Sequence, residues 1–244
     1  MSAEARLRLL QLVSPALPVG AFSYSEGLEV LVQRGQIRDA AELGRWLEAE
    51  LRRGALAIEA ASLPGLQADL ARAHSGAAAP GAATAGTPEA AITAAMAAVR
   101  EREGWLLAQR EAPELRAQQR QMGGSLCQLL EDLGWPLPDR RQGAPPLAWP
   151  AAWAWAGVCF ALSAPDLVEA FLHGWTANQI SASLRLVPLG PTEGQRLLLS
   201  LVPLLARRAA DLTQTDPESL RTGGVGAGLA QLGHAELYSR LFRS

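Results

Sequence analysis

Apolar residues recur three and four positions apart along most of the chain, the spacing of helices that bury one face. Trp46, Leu47 and Leu51 make one such stripe; Val168, Phe171, Leu172, Trp175, Ile180, Leu184 and Val187 make a longer one. No run alternates apolar and polar residues between turn residues, so no strand is predicted and the fold class is all-α, a multi-helix domain with helical hairpins. Helix starts carry their own chemistry. Asp39 with Glu42 forms a capping box for a helix that stops at Gly54. Thr87-Pro88-Glu89, Ser163 with Pro165 and Asp166, and Asp216-Pro217-Glu218 each combine a side-chain cap, a first-turn proline and an acid beside the helix dipole. Ser23 and Glu26 have the same Ser-x-x-Glu spacing and predict a capped start for the helix that follows, with Gly27 letting another backbone come close. Pro188 ends a helix, Gly190 permits a turn and Pro191 starts the next, so Arg185 to Leu199 predicts a helical hairpin with Gln195 in the first turns of its second arm.

Two stretches interrupt this pattern. Residues 74–88 are small and low in complexity, which predicts a mobile loop, and residues 134–150 carry prolines that forbid regular helix. Trp135 and Trp149 in the second stretch predict a loop packed on the body. The composition is alike on either side of both, so residues 1–244 read as one domain. The uncharged segment Leu147 to Ala164 is interrupted by Pro150 and closed by Pro165, leaving about 14 residues where a membrane span needs roughly 20. A buried core helix is the expectation there.

Composition then removes function classes. A net charge of −2 gives no footprint for nucleic acid or an anionic membrane. There is no lysine, which rules out a Walker A lysine, a Schiff base and a Ser-x-x-Lys pair. Cys127 and Cys159 lie in apolar surroundings without a CxxC spacing, and the N-terminus has no signal-peptide regions, so a cytoplasmic location is expected. His74, His173 and His234 stand apart, none followed three or four residues on by a second His, Cys or carboxylate; His234, with Glu236 nearby, is the one weak metal candidate. Gly223 to Ala230 lacks the dinucleotide spacing and reads as a flexible helix start or a close helix crossing. Ser23, Ser25 and Ser125 have no G-x-S-x-G elbow, so no catalytic residue is assigned. Asn178, near the buried stripe, reads as a structural amide in preference to a polar interface position. The segment 234–244 concentrates Tyr238, Arg240, Phe242 and Arg243, types enriched at binding hot spots, and predicts a partner-binding tail.

LLQLVSPALPVGAFSYSEGLE, W-x-x-NQI followed by VPLG and GQRLLL, and the terminal YSRLFRS together resemble the urease accessory protein F (UreF) family, from Leu9 to Ser244 in order. The resemblance implies a dimeric all-helical protein without catalysis of its own. Its implied partners are accessory protein D (also called H), the GTPase accessory protein G and apo-urease, with nickel as transferred cargo and no tightly bound cofactor. Regulation of GTP hydrolysis is implied too. By position, Tyr238, Arg240, Leu241, Phe242 and Arg243 match the D/H-binding tail; Phe22, Ser23, Tyr24, Glu26 and Gly27 match the N-terminal signature; and Trp175, Asn178, Pro188, Gly190 and Gln195 belong to the central one. Ala177, Arg185 and Pro191 depart from the family pattern, which argues against essential polar work at those positions. Two other readings are set against the scaffold: Arg240 or Arg243 acting on a partner's phosphates as an arginine finger, and a hydrolase using Ser23 or Ser25 with His234.

Overall fold

A computed structural model describes residues 2–78, 87–138 and 144–244. Among them lie ten α-helices and no strand: α1 (Ala3–Leu12), α2 (Leu28–Gln33), α3 (Ala40–Arg53), α4 (Ala55–Ala78), α5 (Pro88–Ala108), α6 (Pro113–Asp132), α7 (Trp149–Cys159), α8 (Ala164–Ser183), α9 (Pro191–Thr213) and α10 (Val225–Gly233). The caps act where expected. Asp39, Thr87 and Ser163 side chains accept from the main-chain N–H groups of Glu42, Ala90 and Asp166. Glu42 reaches back to the N–H of Arg38, one residue before the cap. Asp216 caps only a single 3₁₀ turn, Pro217–Ser219.

The long α4 is the axis of the fold, touching α3, α5, α7, α8 and α9. Against it lies α7, the apolar segment, every residue of which from Pro150 to Gly157 is buried. Pro150 stands in the first turn of this helix, where its missing N–H costs nothing, so it opens the helix that it was expected to interrupt. No helix of the described residues is long and apolar enough to cross a membrane. Trp153, Trp155, Leu63, Leu66, Leu167 and Leu172 fill this layer with almost no exposed surface, each large side chain contributing about 1.5–3 kcal/mol by leaving water. The α6–α7 crossing is close because Gly123 has no side chain: a Cβ there would overlap Leu147 O and stand 2.7 Å from Trp149 N.

The first expected loop begins late. α4 runs through His74 to Ala78, its alanines favouring helix and His74 stacking edge-on against Trp155 at 5.5 Å, and residues 79–86 lie outside the described ones. In the second, Trp135 packs on Phe160 at 5.5 Å and its carbonyl accepts from Trp155 Nε1, as expected of a loop held to the body; residues 139–143 are outside the description. The α8–α9 hairpin turns at Pro188 to Gly190 as its prolines require, with Val187 and Leu189 buried in the corner. α10 lies on α2.

Candidate interaction site

Three segments far apart in sequence meet at one end of α8: residues 20–29, the α6 face around Gln118, and residues 238–244. The chain turns sharply after the 3₁₀ helix Ala21–Ser23, with Glu26 at φ 50° and Gly27 at φ 89°. Two successive left-handed residues cannot belong to a helix of L-residues, so α2 starts at Leu28 with Gly27 as its N-cap. This corrects the capping-box expectation for Ser23 and Glu26. The Glu26 carboxylate is instead drawn inward: Gln118 Nε2 donates to Oε1 at 2.8 Å and Trp175 Nε1 to Oε2 at 3.1 Å. Gly27 does allow the close approach expected of it, since a Cβ would stand 3.0 Å from the Gln231 nitrogen on α10.

The tail docks into this turn through its main chain. Ser244 O accepts from the N–H groups of Ser25 and Glu26 at 2.6 and 3.1 Å and from Ser25 Oγ at 2.8 Å, while Arg243 N–H donates to Ser23 O at 2.8 Å. Ser244 Oγ donates to Gln118 Oε1 at 2.6 Å. Glu29, 2% exposed, is the second anchor: its two oxygens accept from Leu241 N–H at 2.7 Å and Phe242 N–H at 3.1 Å. Phe242 is buried with the Arg185 guanidinium 4.4 Å above its ring, and Arg185 Nη1 also donates to Phe22 O. Arg185, set aside as a departure from the family pattern, therefore ties the signature loop to the tail. Glu29, Gln118 and Ser244 were not singled out from sequence either, because their partners lie about a hundred or more positions away and leave no local pattern.

The remaining candidates divide by exposure. Tyr24 is buried, its hydroxyl donating to Gln121 Oε1 at 2.8 Å, and Asn178 Nδ2 reaches Tyr24 O at 3.5 Å, the structural role preferred for it. Trp175 is half-buried against Trp46. Phe22, Tyr238 and Leu241 face solvent, as do Pro188, Gly190 and Gln195 at the hairpin corner. Arg240 pairs with Glu114 at 3.1 Å, and Arg243 is exposed. His234 is fully buried, with Nδ1 3.0 Å from Glu114 Oε2 and Nε2 3.4 Å from Glu29 Oε2. The two carboxylates lie at opposite nitrogens and share no point at which a metal could meet all three. Ser23 and Ser25 have no such contact with His234; Ser25 Oγ is committed to the tail.

Comparison with known proteins decides the family. The UreF family model matches residues 37–202, and similarity to whole relatives extends over the turn and tail described above. The urease accessory protein UreF of Synechocystis sp. is 41% identical over 251 residues, covering 100% of each chain. This chain belongs to the UreF family. The UreF of Trichormus variabilis is 38% identical and covers 98% of this chain and 95% of its own; that of Alkalilimnicola ehrlichii is 38% identical and covers 98% and 96%. In this UreF-family chain the interior beneath the turn is charged. Arg110 Nε donates to Glu59 Oε1 at 2.7 Å with both side chains 5% exposed, and Gln119 Nε2 adds a bond to the same oxygen. Burial pushes the Glu59 carboxyl upward against the pull of Arg110, and pushes Glu50, nearby at the end of α3, up to about 7. Burial opposes the Arg110 charge, but Glu59, Glu26 and Glu50 together outweigh it and hold the guanidinium more basic than usual. Burial likewise raises Cys127 and Cys159, to about 11 and 12, leaving neither poised as a thiolate nucleophile.

Proposed function

We propose that this chain serves urease maturation as a non-catalytic scaffold, joining the D/H accessory protein to the G GTPase in the cytoplasm so that nickel is passed to apo-urease, and that it works as a homodimer. The observation that carries the reading is the division of labour in the tail. Its main chain is locked by Glu29, Ser23 and the amides of Ser25 and Glu26, while Tyr238 and Leu241 project outward. The preceding helix α10 carries an exposed apolar stripe as well, Val225, Leu229 and Leu232, whose opposite face of Ala227, Ala230 and Gly233 is buried. A pre-ordered strip of aromatic and aliphatic side chains is the form of a protein interface, since little ordering entropy remains to be lost on docking.

The test is size-exclusion chromatography with light scattering, comparing the full chain, a chain ending at Gly233 and the pair Tyr238→Ala with Leu241→Ala. The full chain should run as a dimer and co-elute with D/H and G. The double variant should keep its melting temperature and lose D/H at least tenfold in affinity; a monomer indifferent to both partners would end the proposal. A regulatory role is supported by Arg243, whose side chain is exposed on the docked tail whereas that of Arg240 is engaged by Glu114. Arg243→Ala should then lower GTP turnover by G within the complex more than Arg240→Ala does.

A further inference from the structure

Beneath the turn lies a cavity of about 60 Å³, roughly twice a water molecule's share of the liquid, walled by Glu26, Glu59, Gln119 and the rings of Trp149, Trp153 and Trp175. Its polar groups are unevenly provided for. Glu59 has Arg110, but the carboxyl of Glu26, 8% exposed, is bonded among the described residues by the neutral donors Gln118 and Trp175 alone. Arg110 is engaged by Glu59, so the Glu26 carboxyl is buried without an ion pair among the described residues, a costly arrangement for a carboxylate. Independently, Gln119 is 4% exposed with Nε2 held by Glu59, and its Oε1 accepts nothing from the described residues. What the cavity lacks is thus a positive charge that donates hydrogen bonds, and its walls are indole rings, whose faces attract cations.

We infer that this cavity binds a small monovalent cation of the ammonium class, donating to Gln119 Oε1 and the Glu26 and Glu59 carboxylates against the tryptophan rings. A hard metal ion is a poor occupant, because a calcium-type site surrounds it with about six to eight oxygens. No group of three His, Cys, Asp or Glu side chains among the described residues is arranged to hold a metal. Access is open at the half-buried Ala21, Gly174 and Asn178. The inference is independent of any partner of the tail.

The experiment uses the full chain at neutral pH and constant ionic strength, replacing sodium chloride stepwise by ammonium, potassium, tetramethylammonium or a trace of nickel chloride and following the melting temperature. Ammonium should give a saturable rise of several degrees that the other cations do not reproduce. Gln119→Met, which keeps shape and removes the free acceptor, should raise the half-saturating ammonium concentration at least tenfold. On the unaltered chain, ¹⁵N-ammonium protons should show nuclear Overhauser contacts to the Trp153 and Trp175 rings, a readout that holds even if the variant does not fold. Equal rises with sodium or potassium, a comparable response to nickel, an unchanged response in Gln119→Met, or ring contacts to water protons alone would each overturn it.

Discussion

The interior around α7 and the interior beneath the tail are equally closed to solvent and are made of opposite materials. In the first, Trp155, Leu63 and Leu167 pack mainly through apolar surface, the Trp155 indole adding one bond to a carbonyl, so cohesion is a matter of area and fit. In the second, Glu26, Glu29, Glu59, Arg110, Gln118 and His234 are buried almost as completely, and each is stable only because a particular partner is present. The difference teaches where specificity is kept. An apolar layer accepts repacking that conserves volume, whereas a carboxylate that aligns two tail N–H groups accepts no other tail geometry.

The sharpest way to break the charged region is Arg110→Met, which strands Glu59 and should cost about 3–5 kcal/mol in chemical denaturation. Replacing both members, Arg110→Met with Glu59→Met, should recover most of the loss; a double variant as unstable as the single one would show that the pair does more than satisfy itself. Next comes pH. Glu50 is raised from 4.5 to about 7 in the folded chain, so between those values the native state holds a proton that the unfolded state has released. Its contribution is therefore intact below about pH 4.5 and lost as pH rises to about 7, a fall of about 2–3 kcal/mol once its partial exposure is allowed for, and Glu50→Gln should flatten that part of the stability profile. In the apolar region Gly123→Ala should cost about 2 kcal/mol by forcing α6 from α7, without altering hydrogen-exchange protection of the tail amides. The smallest effect has the opposite sign. Gln179 is fully buried on α8 with neither amide atom bonded to a described residue, so Gln179→Leu should raise stability by about 1 kcal/mol, and a loss instead would reveal a polar partner for that side chain.

The same contrast explains what could be read from the chain in advance. α7, the capped starts at Asp39, Thr87 and Ser163, and the hairpin at Pro188 to Pro191 depend on neighbours within a few positions, where periodicity and turn chemistry operate. The charged region depends on pairs such as Glu29 with Leu241 and Glu26 with Gln118, which no local rule connects. Glu26 shows the two levels in conflict: its spacing from Ser23 suits a cap, but donors on α6 and α8 compete for the same carboxylate and the backbone turns left-handed to deliver it. The motifs that marked the family included the turn and the tail, yet the reason those two belong together, a shared set of main-chain bonds, became visible only in three dimensions.

That pairing also orders events during synthesis. Ser25 and Ser244 are 219 positions apart, so at ribosomal speeds of about 5–20 residues per second the amides that receive the tail wait about 10–40 s for their partner. α4, α7 and α8 are complete well before then. The surface bearing Tyr238 and Leu241 thus takes shape after those helices, and a nascent copy holds most of its core before the strip proposed to engage its partners is in place.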